Sequence, residues 1–228
     1  MNSQQAGFRY RPLEPGDVDR VPLSCQGRRE DVTLRIAEIG SSAMLAFEGA
    51  GHVGQLQFRP YVSGISSPDG INDPLYWMDL GSHAPPLPEP TLALFCYHVG
   101  QLENGSARDP RYFGRGMGTG LLDATLAWAR KSGFQAVVAK ATSPSWPIPQ
   151  FMGGMPARVY ASRGFEQAAS YHEAALRRGL DGVLEGRYGD QWQEGLSALL
   201  QEGADLEELA TATICVLRVG ITEKEIRT

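Results

Sequence analysis

Cysteine is scarce and unpaired: Cys25, Cys96 and Cys215 are the only three in 228 residues, and they lie far apart. An odd count with no close pair gives no disulfide framework and fits reduced thiols in a cytoplasmic protein. No apolar run is long enough to span a membrane. The first residues, Met1 to Gly7, are polar and do not read as a signal peptide. Positive charge is not in excess either. The formal net charge of -5 argues against nucleic acid as a partner. The chain does not lack apolar residues: 42% are hydrophobic and 21% charged, a balance that builds a core and excludes wholesale disorder. The length suits one large domain, or one domain with an appendage.

Phe8 to Arg11 alternates as a short strand, broken by Pro12, Pro15 and Gly16, after which Asp17 is placed to cap a short helix. Arg29 to Ile39 reads as a helix with Val32, Ile36 and Ile39 on one face and Gly40 as its stop. The alternation of Val32, Leu34 and Ile36 keeps a strand open there. Ala43 to Phe47 and His52 to Tyr61 are strand-like, and Gly49 and Gly51 between them predict a hairpin. Val62 to Pro90 is rich in Pro, Gly, Ser and Asp, holds Tyr76, Trp77 and Met78, and reads as a long covering loop. Thr91 to Val99 is nearly continuously apolar and predicts a central buried strand.

A polar connection leads to Gly114-Arg115-Gly116-Met117-Gly118-Thr119-Gly120, which opens a helix whose apolar face is Leu121, Leu122, Thr125, Leu126 and Ala129. Gly133 ends that helix, and Phe134 to Ala141 is another buried strand, so a parallel pairing with a right-handed crossover is expected. Thr142 to Gly154 is a Pro/Ser/Gly loop. Pro156 suits the first turn of a helix holding Val159 and Tyr160, stopped by Gly164. Phe165 to Ser170 predicts a strand. Beyond Tyr171 the pattern is helical, notably at Trp192 to Gln201 and Asp205 to Ala210. Thr211 to Val219 predicts a last strand rejoining the sheet.

The glycine loop carries the chemistry. Glycines let backbone approach a ligand closely, and a helix N-terminus offers unpaired N–H groups and partial positive charge, so together they suit a phosphate. Arg115 can add a charge-assisted bond. Dinucleotide and P-loop signatures are both missing. Thr119 stands where the third glycine of G-x-G-x-x-G belongs, and no Gly-Lys is present.

In this frame the chain resembles the GNAT N-acetyltransferase superfamily, whose coenzyme motif Arg/Gln-x-x-Gly-x-Gly/Ala is matched by Phe113-Gly114-Arg115-Gly116-Met117-Gly118. Phe113 departs from the family's Arg or Gln. Tyr160-Ala161-Ser162-Arg163-Gly164-Phe165 matches a second family signature, Tyr-x-x-x-Gly-Phe, and one helix, one strand and one loop separate the two as in the family. The resemblance implies an α/β (α+β) fold: a mixed, mostly antiparallel central sheet with a parallel splayed strand pair and flanking helices. A single domain over 1–228 is expected, with a core at 8–170, a loop insertion at 62–90, and a C-terminal helical extension with a final strand at 171–228.

It also implies direct transfer of an acetyl group from acetyl-CoA to a small-molecule or protein amine held beside it. The strand Thr91 to Val99 would run along the pantetheine arm, ending at Val99, and bond it through backbone groups, with Phe134 to Ala141 as the other wall. Phe113 and the loop amides of Gly114, Arg115, Gly116, Met117, Gly118 and Thr119 would hold the pyrophosphate. Tyr160 would protonate the departing CoA thiolate. The base is open among His98, Glu103, Asp79 and an ordered-water relay; as a plain sequence feature His98 reads more readily as a core histidine. Cys96 reads as a small buried hydrophobe. With His98 it is too small a set for a metal site, and no metal is expected. Acceptor specificity is expected from Tyr76, Trp77, Asp73 and Asp79 in the insertion and from Trp146 and Phe151 in the 142–154 loop. The C-terminal helices either pack on the sheet or form a homodimer interface. The alternatives are a non-catalytic acyl-CoA-binding module and another nucleotide-binding α/β enzyme.

Overall fold

The computed structural model describes residues 7–62, 80, 83, 85–104 and 108–219. A seven-stranded sheet runs through it in the order β1-β2-β3-β4-β5-β7-β6. The strands are β1 (Phe8–Pro12), β2 (Ala43–Glu48), β3 (Gly51–Pro60), β4 (Thr91–Val99), β5 (Ala136–Ala141), β6 (Glu166–His172) and β7 (Thr211–Arg218). Every neighbouring pair is antiparallel except β4 and β5, which run parallel from Thr91↔Ala136 to Leu94↔Ala139. The parallel pair is the one the strand–loop–helix–strand pattern predicts. The hairpin of β2 and β3 also forms.

Helix α1 (Arg29–Ile39) settles the ambiguity of its segment. Val32 and Ile36 are buried, while Leu34, which a strand would place with them, is 68% exposed. Asp31 accepts from the Arg28 amide at 3.3 Å in the first turn, and Gly40 ends the helix with φ 88°. Asp17 does not open a helix. With Pro15 fixed in the first position, Asp17 falls third in a 3-10 turn, accepts from the Glu14 amide at 2.9 Å and pairs with Arg11. Pro156 is likewise one place earlier than predicted, capping α4 (Ala157–Ala161).

Helix α2 (Met117–Lys131) buries Leu121, Leu122, Thr125, Leu126 and Ala129 against the sheet. Phe134 stays outside β5: its amide donates to Ala129 at 3.1 Å beyond Gly133, and its ring meets Trp128. The 142–154 segment is not all loop; it contains α3 (Ile148–Met152). Its Ile148 and Met152 pack with Leu176, Leu180, Leu196 and Leu209 of α5 (Ala174–Leu184), α6 (Asp190–Gln201) and α7 (Leu206–Leu209). The C-terminal helices therefore close on the protein's own sheet and loop. No helix among the described residues is long and apolar enough to cross a membrane.

Strand β4 positions the site. Gln57 pairs with Cys96 and the next residue of β3, Phe58, pairs with Leu94, so Phe95 is an extra residue, a bulge. The bulge changes which side chains share a face. Leu92, Leu94 and Tyr97 join the core beneath α2, while Ala93, Phe95 and Cys96 join the core on the other side.

Candidate active site

The four glycines of the loop have separate physical roles. Gly114 and Gly116 have φ of 70° and 77° with open space around them, so they serve the backbone turn that brings the chain to the helix. Gly118 and Gly120 serve close approach. A Cβ on Gly118 would lie 2.7 Å from Met155, and one on Gly120 would lie 2.2 Å from the Tyr10 hydroxyl. Among the described residues, none accepts a hydrogen bond from the amides of Gly114 through Thr119; the first amide of the turn with a protein partner is that of Gly120, bonded to Gly116 at 3.0 Å. These amides lie at the start of the fifteen-residue helix α2, where the helix dipole adds partial positive charge.

They open onto a cleft of about 320 Å³ lined by Tyr97 and Val99 of β4, Arg108, Phe113 and the glycine loop, with Gly153 and Met155 opposite. The predicted coenzyme residues Val99, Phe113, Gly114, Gly116, Met117, Gly118 and Thr119 all line it. Arg115 does not. It pairs with Glu48 at 2.7 Å, with its guanidinium over the Phe8 ring.

Strands β4 and β5 part after Leu94 and Ala139, and the gap is taken up by 153–156. Tyr97 donates its amide to the Gly153 carbonyl at 2.7 Å, and Thr142 donates to Met155 at 3.1 Å. One of the β4 groups expected to meet pantetheine is thus already bonded within the protein. Tyr160 lies behind this wall, 2% exposed, with its hydroxyl 3.5 Å from that of Tyr97. Burial first, and then the neighbouring Tyr97, push the Tyr160 hydroxyl well above its ordinary value; burial also pushes Tyr97 up. Both therefore hold their protons at neutral pH. Tyr97 reaches the cleft and Tyr160 reaches Tyr97. The only sequence sign of Tyr97 was its place in the apolar run of β4.

His98 sits on the opposite face, 5% exposed. There it meets Cys96 and, unexpectedly, Cys25: one imidazole nitrogen and both sulfurs lie within 4.8 Å of one another. The set of two that had been too small for a metal is a set of three, because the loop before α1 folds back over β4. None of the three cysteines is in a disulfide. Cys96 foremost, then His98 and the Arg108 guanidinium, hold the Cys25 thiol down to about 4 despite its desolvation. Burial pulls Arg108 below its ordinary value, and the two thiols pull it back up. Neither nitrogen of His98 has a partner at regular hydrogen-bonding geometry, so His98 acts on Cys25 by proximity.

The remaining expected residues are not gathered at the cleft. Glu103 is exposed beyond the end of β4. Trp146 is 52% exposed, with its ring against Gly195 of α6, and Phe151 packs on Tyr188 and Trp192. Asp73, Tyr76, Trp77 and Asp79 lie outside the described residues.

No protein-family model and no curated protein matches the sequence. Solved structures do. A protein of the yellow fever mosquito assigned as arylalkylamine N-acetyltransferase 7 aligns at a TM-score of 0.50 and 14% identity, over 93% of this chain and 87% of that one. An acetyltransferase of the GNAT family from Streptococcus pneumoniae aligns at 0.49 and 14%, over 93% and 99%. A GNAT family acetyltransferase from Elizabethkingia anophelis, solved with acetyl-CoA bound, aligns at 0.44 and 11%, over 93% and 98%. The mixed seven-stranded sheet, with its one parallel pair and flanking helices, is the GNAT-like α/β fold.

Proposed function

We propose that this chain binds acetyl-CoA in the cleft between β4 and α2 and transfers the acetyl group directly to a primary amine. The observation that carries the reading is the row of unpartnered amides from Gly114 to Thr119 at the mouth of α2. The amides of a helix's first turn have no partner within the helix, and left open behind a glycine turn they suit a diphosphate. Catalysis would then rest on positioning two reactants in one cleft. Tyr160, neutral by burial, would supply the leaving thiolate's proton, with Tyr97 between it and the cleft.

Calorimetry with CoA and with a Thr119→Glu variant tests the binding. A carboxylate in the first turn of a helix favours folding by roughly 0.3–1 kcal/mol but repels an anion from the same amides. The expected result is saturable binding by the native chain, at least a tenfold loss in the variant, and a thermal midpoint no lower than before. Absence of CoA binding by the native chain overturns the reading.

A non-catalytic acyl-CoA-binding module is the second reading. It is favoured by the enclosure of Tyr160 and by the Gly153 carbonyl on the Tyr97 amide. Tyr160→Phe separates the two. An enzyme loses roughly a hundredfold in kcat with its CoA affinity kept; a module shows no turnover with any amine to lose.

A further inference from the structure

We propose that Cys25, Cys96 and His98 form a three-ligand site for a thiophilic divalent cation of the zinc class, with a fourth position open beside Arg108. The inference does not rest on the coenzyme reading. Their ligand atoms lie within 4.8 Å of one another, the only such group of metal-ligating side chains among the described residues. A tetrahedral ion holds Cys sulfurs at about 2.3 Å and imidazole nitrogens at about 2.0–2.1 Å, which needs only small rotations from this spacing. His98 is buried, only 5% exposed, and neither ring nitrogen has a partner at regular hydrogen-bonding geometry. A buried polar atom without a partner is costly, and a metal bond would satisfy one of these.

The arrangement is built rather than incidental. The β3 residues in register with the two strand ligands are glutamines: Gln55 opposite His98, and Gln57 opposite Cys96. Both reach over to hold the loop that carries Cys25. Gln55 donates to the Pro22 carbonyl at 2.6 Å and Gln57 to the Leu23 carbonyl at 3.0 Å. Ser24 then ties the loop to the far end of β4, donating its amide to Asn104 at 3.1 Å and its hydroxyl to Gln101 at 2.9 Å. The cross-strand partners of the two strand ligands thus fix the loop that carries the third, as a preorganised metal site requires.

Charge completes the argument. Two thiolates neutralise a divalent ion, and the guanidinium of Arg108 leaves one positive charge over. An anionic fourth ligand, such as hydroxide, restores balance. Arg108 and Gly153 stand between the cluster and the cleft: a Cβ on Gly153 would lie 2.6 Å from the Cys96 sulfur and 3.5 Å from the Arg108 guanidinium, and both residues line the cleft.

The test is titration of the reduced, metal-stripped full chain with cobalt(II) under argon, read by absorbance. The expected result is one cobalt per chain, with a thiolate-to-cobalt charge-transfer band in the near ultraviolet and tetrahedral d–d bands, displaced by zinc. Cys25→Ser, on a half-buried loop where folding is safe, should weaken binding by at least the roughly 100-fold reached on losing an outer-shell partner. Cys215→Ser should bind as the native chain does. The proposal is overturned if the reduced native chain shows no charge-transfer band, if the band survives Cys25→Ser, or if the thiols only form a Cys25–Cys96 disulfide in air and take up no metal when reduced.

Discussion

At the scale of single residues, several positions carry a meaning that composition hides. The glycine loop was legible as a turn into a helix, since glycines with an apolar helical face behind them are a local signal. That Gly120 is there for the Tyr10 hydroxyl was not, because nothing local links the two. Cys25 was illegible for the same reason, its partners being far along the chain. His52 is another such residue. Desolvation pushes it down to about 4, against the pull of the Gly54 backbone and Asp17, which raise it. The unfolded chain takes up a proton near pH 6.5, where the folded chain does not, so stability falls as pH drops from 6.5 toward 4. The loss reaches roughly 3 kcal/mol at full shift. Urea unfolding at pH 7 and pH 4.5 should show this slope in the native chain and a shallower one in His52→Gln; identical slopes would remove His52 from the account.

At the scale of elements, the strands were read almost to their ends, because alternation and apolar runs are local signals. Helix α3 escaped, since five residues containing Pro149 look like loop and gain their helicity from packing on α5 and α6. One ion pair joins two elements that sequence could not connect. Lys140 of β5, with a side chain 1% exposed, meets Glu173 at 2.7 Å, and Glu173 also caps α5 through the Ala175 amide at 3.1 Å. Removing Glu173 takes away both the carboxylate that meets a buried ammonium and the cap of α5. Glu173→Ala should therefore cost about 3 kcal/mol in denaturant unfolding, and Lys140→Met combined with it should recover much of that. A double variant no better than the single one would show that the pair is not what binds β5 to α5.

At the scale of the whole molecule, the C-terminal segment is not an appendage. The resemblance in sequence covers 8–170, and the last strand was expected only to rejoin the sheet. The structure places β7 between β5 and β6, bonded to both. Cutting the chain after Ser170 would strip a long interior ladder and leave β5 with an open edge. Such a fragment should be insoluble or lack a cooperative thermal transition by circular dichroism; a folded fragment would mean that the first five strands, with α1 and α2, suffice.

The single surplus residue at Phe95 has a consequence for anyone engineering this strand. Downstream of it, odd-numbered side chains look toward the cleft and the core beneath α2, and even-numbered ones toward the sulfur cluster; upstream the parity is reversed. Excising that residue would set Cys96 directly after Leu94 in the register their partners Gln57 and Phe58 already define, so Tyr97 and His98 would keep their faces and the strand would merely lose its kink.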